Sequence, residues 1–186
     1  MKYACLKNQQ FIHHIYQITP LRRQDIFLIK EWRNEQMDIL RQNVLLTDGM
    51  QEAYFENIIK PSFASCEPNQ IIFSYLENGQ LIGYGGIVHI DWKAKEAEVS
   101  FLVATQRAKN TGNYQEDFTS FLKLIKEVAF HDLHFHRLYT ETFDIRPQHL
   151  LILERAGFVL EKRLKNSLTL NGKLIDALIH GYRQHD

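Results

Sequence analysis

Three titratable side chains fall where strands are expected to face one another or to end, and their types suit proton transfer. Glu98 lies in Ala97-Glu98-Val99-Ser100-Phe101, two residues before Ser100 on one face of a strand. Glu141 lies on a later strand, and His89, followed by Asp91, closes an earlier one. A carboxylate or imidazole so placed can take a proton from a nucleophile. The ordinary description stands beside that one: a half-buried strand carboxylate in a cross-strand pair, and turn residues at a strand end. His131, His134 and His136 form His-Asp-Leu-His-Phe-His, which invites a zinc reading. Their spacing fits no closed zinc site and no cysteine accompanies them, so no metal is expected. No GxSxG, Walker loop or HExxH occurs, which removes the common hydrolase and nucleotide-triphosphatase signatures.

The elements that must position these groups are legible from periodicity. Residues 11–18 read as one strand ending at Thr19-Pro20, and residues 25–34 as a helix carrying Ile26, Ile29 and Trp32. A second helix is expected over 50–60, stopped by Pro61. Residues 70–77 and 80–91 are joined by Asn78-Gly79, the strongest short hairpin signal. Gly83, Gly85 and Gly86 inside the second of these strands indicate a bulge or a close backbone approach, not a phosphate loop. A strand over 96–104, a loop to 116, and a helix over 118–130 with Phe118, Phe121, Leu122, Ile125 and Val128 on one side follow. Next come a strand at 137–143, a helix ending at Gly157, and a hairpin closed by Asn171-Gly172. Residues 1–10 are read as a short leader and 11–186 as a single domain.

Composition sets the outer limits. The chain has 186 residues, 45% of them hydrophobic, enough for one sizeable core. Twenty-two basic residues balance twenty-two acidic ones, so no overall field selects nucleic acid or an anionic membrane as partner. Cys5 and Cys66 lie far apart with no metal spacing, which suits free thiols in a cytoplasmic protein. No apolar run reaches the roughly 20 residues that span a bilayer.

Four stretches carry a family resemblance: Val128–Phe158 with its Arg137-led strand and its Leu-Glu-Arg-Ala-Gly-Phe exit, Trp32-Arg33-Asn34, the paired strands at 81–102, and the Asn-Gly hairpin at 171–172. In order and spacing they resemble the GCN5-related N-acetyltransferases (GNAT), most of all the branch of amino-sugar and of ribosomal-protein or polyamine acetyltransferases. The resemblance implies an α/β (α+β) fold with a mostly antiparallel mixed sheet of about seven strands, two of them splayed, and flanking helices. It implies acetyl-CoA as co-substrate, with Phe101, Leu102 and Val103 beside its pantetheine arm. Arg107, Lys109, Gly112, Asn113 and Tyr114 would then serve its phosphates, joined by Arg146 from the last helix. The turn that normally cradles the pyrophosphate is degenerate: Glu116 and Phe118 stand at its two small positions. In the last helix Arg146, His149 and Leu153 replace an Asn, a Ser and the Tyr that protonates the departing thiolate.

On the same resemblance Glu98 is the general base, acting through water, and the strand around it holds the oxyanion. Trp32, Arg33, Asn34, His89 and Glu141 would wall the acceptor. The acceptor is expected to be a small-molecule amine, a nucleotide-linked amino sugar ahead of a polyamine or a protein N-terminus. A homodimer through the C-terminal strand edge is an expectation of the same kind. A catalytically silent binding protein of the same fold, and an enzyme using another acyl carrier, stay open as alternatives.

Overall fold

The computed structural model describes residues 1–170 and 172–184. Among the described residues eight strands form one sheet in the order β1-β2-β3-β4-β5-β6-β8-β7, one strand more than the sequence suggests. The extra strand comes from the N-terminal run, which breaks into β1 (Phe11–His13) and β2 (Tyr16–Pro20) because His14 adopts a left-handed conformation, φ 55°, and turns the chain back on itself. Three elements follow as expected: α1 (Ile26–Glu35), β3 (Ile71–Glu77) and β4 (Gln80–Asp91). Between α1 and β3 the chain forms α2 (Asp48–Tyr54), a π turn over Phe55–Ile59, and α3 (Lys60–Ala64). Pro61 does not stop this helix. The π turn immediately before it has already displaced the hydrogen-bond register, so the missing N–H falls at the start of a new segment, where it is least costly.

Strand β5 (Glu96–Val103) is followed directly by α4 (Thr105–Lys109) and α5 (Thr111–Lys126), so the expected 104–116 loop is mostly helical. The buried stripe of α5 begins at Tyr114, four residues before Phe118, and Asn110 caps the helix by accepting from the Asn113 N–H at 3.0 Å. A π turn over Glu127–Asp132 leads to β6 (Arg137–Phe143), then α6 (Pro147–Arg155), β7 (Val159–Leu170) and β8 (Lys173–Tyr182). In the last hairpin Gly172 has φ 75°, while Asn171 lies outside the described residues.

One buried cluster gathers side chains from Tyr3 to Phe158. Tyr3 and Leu6, before β1, take part in it. Tyr3 is buried, and its hydroxyl donates to the Ile72 carbonyl at 2.9 Å and accepts from the Ile72 N–H at 2.8 Å. The glycines of β4 mark close approach: a Cβ on Gly86 would stand 1.9 Å from the Ile71 carbonyl oxygen, and one on Gly85 would stand 2.2 Å from that of Ser100. Gly86→Ala is therefore expected to cost about 3 kcal/mol, read as a fall of roughly 6–12 °C in melting temperature.

Every strand pair is antiparallel except β5 with β6. That parallel pair holds only at Glu96–Arg137, Ala97–Leu138 and Glu98–Tyr139. Beyond it the strands splay, leaving the β5 edge without a strand partner on that side and opening the sheet to its centre.

Candidate active site

A cavity of about 680 Å³ passes through this opening. On one side of the sheet it reaches Arg33, Arg41, Tyr84 and His89, and on the other Phe101, Phe118, Arg146 and His149, with Thr140–Phe143 of β6 along its wall. Glu98 sits where the strands part, only 8% exposed. Its two oxygens are held separately: Oε1 accepts from Arg41 Nη2 at 3.0 Å, and Oε2 lies 2.8 Å from Nδ1 of His89. Because an ionised carboxylate only accepts, that contact places the proton on Nδ1 and leaves Nε2 as the basic nitrogen of the ring.

The backbone aims His89 at this partner. Val88 pairs with Glu98 and Asp91 with Glu96, so two residues of β4, His89 and Ile90, stand opposite Ala97 alone. This is a β-bulge, and His89 has φ 48° within it. A non-glycine residue in that region at a cavity wall is the kind of local strain that concentrates at functional sites. Asp91 does not share the site; its Oδ1 accepts from the Ala94 N–H at 2.8 Å and closes the turn.

Of the acceptor residues expected from sequence, the structure brings Arg33, His89 and Glu141 to the cavity with Glu98. Trp32 is instead buried in the core. Asn34 is spent on the chain: its amide donates to the Leu46 carbonyl, and its Oδ1 accepts from the Leu46 N–H at 2.8 Å and from Gln42 at 2.9 Å. It thereby shapes the segment that carries Arg41. Arg41 itself had no signal in the sequence, since it lies in a stretch without periodicity. Its Nη2 also meets Glu141 Oε2 at 3.2 Å, so one guanidinium bridges both carboxylates.

The residues expected around coenzyme A divide as well. Phe101 lines the cavity, whereas Leu102 and Val103 point into the core. Arg107 lies outside the cavity lining. It donates to both oxygens of Asp117 at 2.7 Å and to both of Glu77 at 2.9 and 3.1 Å, so it is occupied inside the protein. Asp117 above all, then Glu77, push its already high pKa further up. Lys109, at the end of α4, and Gly112 and Asn113, in the first turn of α5, are exposed and lie outside the cavity lining. Tyr114 is buried there, its hydroxyl 2.6 Å from His149 Nδ1 and accepting from Arg146 Nη2 at 2.7 Å. Burial pushes the Tyr114 pKa up to about 12 and holds that of His149 well below its usual range. A neutral His149 can therefore accept the tyrosine proton. Phe118 stacks between Phe101, at 4.7 Å, and His149, at 4.2 Å. Tyr114 and Phe118 thus join α5 to α6, while Glu116, at the other position the sequence marks, is exposed. Leu153 is fully buried and offers no acid.

The opening suits a thin amide-bearing arm. Thr140 is 4% exposed, lines the cavity, and its Oγ1 has no hydrogen-bond partner among the described residues. A buried hydroxyl without a partner is costly, and an amide of a bound arm would satisfy it. Among the described residues no three His, Cys, Asp or Glu side chains converge as metal ligands, and no helix is long and apolar enough to cross a membrane.

The same architecture occurs in solved acetyltransferases. Spermidine N-acetyltransferase from Vibrio cholerae, in complex with CoA and spermine, is 19% identical, with a TM-score of 0.78 over 92% of this chain and 97% of that one. A dodecameric structure of spermidine N-acetyltransferase from the same organism has a TM-score of 0.73 at 19% identity, over 92% and 95% of the two chains. At that identity the likeness concerns the fold. Residues 18–179, from within β2 to within β8, match the acetyltransferase (GNAT) domain, and the chain belongs to the GNAT acetyltransferase family.

Proposed function

We propose that this acetyltransferase moves an acetyl group from acetyl-CoA to a primary amine of a small molecule, with His89 and Glu98 acting together as the base. The observation that carries the reading is Glu98 at the last pair before the splay, hydrogen-bonded to a histidine that lines the cavity. The acyl-pantetheine arm would lie in the splay between Phe101 and Thr140 and bring the thioester to the carboxylate–imidazole pair.

In this scheme the amine nitrogen attacks the thioester carbonyl carbon, the C–N bond forms, the C–S bond breaks, and coenzyme A leaves as its thiolate. The amine proton passes to His89 Nε2. Sequence alone places this task on Glu98 through a water, but both oxygens of Glu98 are occupied, one by Arg41 and one by His89, which leaves the imidazole Nε2 as the free proton-accepting atom of the pair. Glu98 is then the group that orients the imidazole and stabilises its charged form. A thiol of ordinary pKa, about 8.5, leaves without an obligatory acid, so a leucine at position 153 is compatible with turnover.

Two acceptor classes named by the sequence have separate support. The polyamine reading has the spermidine acetyltransferases among its fold neighbours. The amino-sugar nucleotide reading has the two arginines on the acceptor side. A titration of acetyl-CoA, coenzyme A and ATP followed by thermal melting tests the donor half. At about 100 times the dissociation constant a ligand adds about 2.7 kcal/mol, or roughly 5–10 °C here. A shift with both coenzyme A compounds and none with ATP is expected; no shift at millimolar ligand would remove the reading.

A further inference from the structure

Building on that acetyl-transfer reading, we propose that the acceptor is an amine bearing a phosphate or carboxylate a few bonds from its nitrogen, and that Arg41 is the residue that binds the anion. The observation is the state of the guanidinium. Arg41 uses only Nη2 on the protein, for Glu98 and Glu141. Its Nε and Nη1 donors find no acceptor among the described residues, although the side chain lines the cavity and is 44% exposed. A planar guanidinium held by one edge presents its remaining N–H groups as a fork suited to a phosphate or carboxylate.

Arg33 extends the same side. Its Nε donates to Gln42 Oε1 at 3.0 Å and its Nη1 to the Tyr84 hydroxyl, leaving Nη2 without a protein partner among the described residues. The charge balance also opposes a polycation. The cavity contains two carboxylates, Glu98 and Glu141, and Arg41 already engages both. A triammonium acceptor would have to displace Arg41 from two ion pairs while meeting a second arginine. An amine with its own negative charge does the opposite. Its anion caps the free edge of Arg41, and its nitrogen lies one guanidinium width away, beside Glu98 and His89. The short span between those groups sets the chemical scale of the acceptor: an amino acid, an aminoalkyl phosphate, or an amino sugar whose phosphate is near the amine.

The test compares matched amines on the full chain with acetyl-CoA, by release of the coenzyme A thiol. Ethanolamine is set against O-phosphoethanolamine, propylamine against β-alanine, and spermidine serves as the polycation; the first two pairs separate phosphate from carboxylate sources. Wild type is expected to favour the anionic member of at least one pair by 30-fold or more in kcat/KM. Arg41→Met should cut that ratio at least tenfold, with Arg41→Lys between the two. The ratio is the readout because any general loss of activity cancels from it. A ratio near one, a preference for spermidine, or a ratio unchanged in Arg41→Met overturns the proposal. A binding arm keeps it testable if no amine is acetylated. With coenzyme A present, O-phosphoethanolamine should raise the melting temperature of wild type more than ethanolamine does, and not that of Arg41→Met. In that event the anion site stands while the acetyl-transfer reading fails; equal shifts in both proteins overturn the site.

Discussion

Arg107→Met should lower the melting temperature by roughly 6–20 °C while leaving the affinity for acetyl-CoA unchanged. The first half follows from what the arginine holds. Asp117 is completely buried, and both of its oxygens accept from Arg107 at 2.7 Å. Deleting the cation strands a carboxylate inside the α5–sheet interface, and losing one partner of a buried pair costs about 3–5 kcal/mol. For a chain of this length each kcal/mol moves the midpoint by about 2–4 °C. Glu77 offers no relief, because it is the second carboxylate of the same cluster and would be left facing the first. The second half separates structure from sequence. An arginine in a phosphate-binding loop would do the reverse, raising the KM for acetyl-CoA with little change in stability. Adding Asp117→Leu to Arg107→Met should recover part of the loss, since it removes the stranded charge. Thermal melting with and without saturating acetyl-CoA measures both quantities in the same samples.

The course of the chain was readable wherever local chemistry dominates. Asn78-Gly79 gave its hairpin because both residues accept positive φ, 47° and 80° here, and the stripe from Phe118 to Val128 gave its helix. Reading failed where a tertiary partner decides. His14 reverses the chain with a conformation that few residues favour, and nothing in its neighbours announces it. The polar run before Phe118 looks like a loop until Asn110 is seen to cap it and Tyr114 to be buried by α6. Pro61 was read by its usual effect, which the π turn cancels. The site divides along the same line. Glu98, Glu141, Arg33 and Phe101 lie on strands or a helix that periodicity makes legible, whereas His89 reaches the cavity through a bulge that no periodic pattern announces. Arg41 arrives from an aperiodic segment, and its place depends on Asn34 clasping Leu46 and Gln42. Whether an arginine is a ligand for phosphate or half of a buried pair depends on the distance to a carboxylate ten residues away in sequence, as Arg107 and Asp117 show.

His89→Ala is expected to reduce kcat by about 10²–10⁴-fold, the usual contribution of a positioned general base, and exogenous imidazole should restore a measurable part of it. The vacated site is suited to rescue: the ring is exposed at the cavity wall, with 62% of its side chain accessible, so a free imidazole can enter and bond Glu98 Oε2. Glu98→Gln should be nearly as damaging for a different reason. A glutamine amide can donate to Nδ1, which turns the histidine into the tautomer whose Nε2 carries the proton, and a base with the wrong tautomer loses a comparable factor. Imidazole should not rescue that variant, and it should not rescue the double variant, whose loss should be far smaller than the product of the single losses because the pair acts as a unit. If Glu98 instead worked alone through a water, His89→Ala would be mild and indifferent to imidazole while Glu98→Gln stayed severe. The bulge at His89–Ile90 favours the first pattern: a strand with regular pleating would alternate sides from Val88 to His89, and only the added residue lets the ring swing to the carboxylate that faces the cavity.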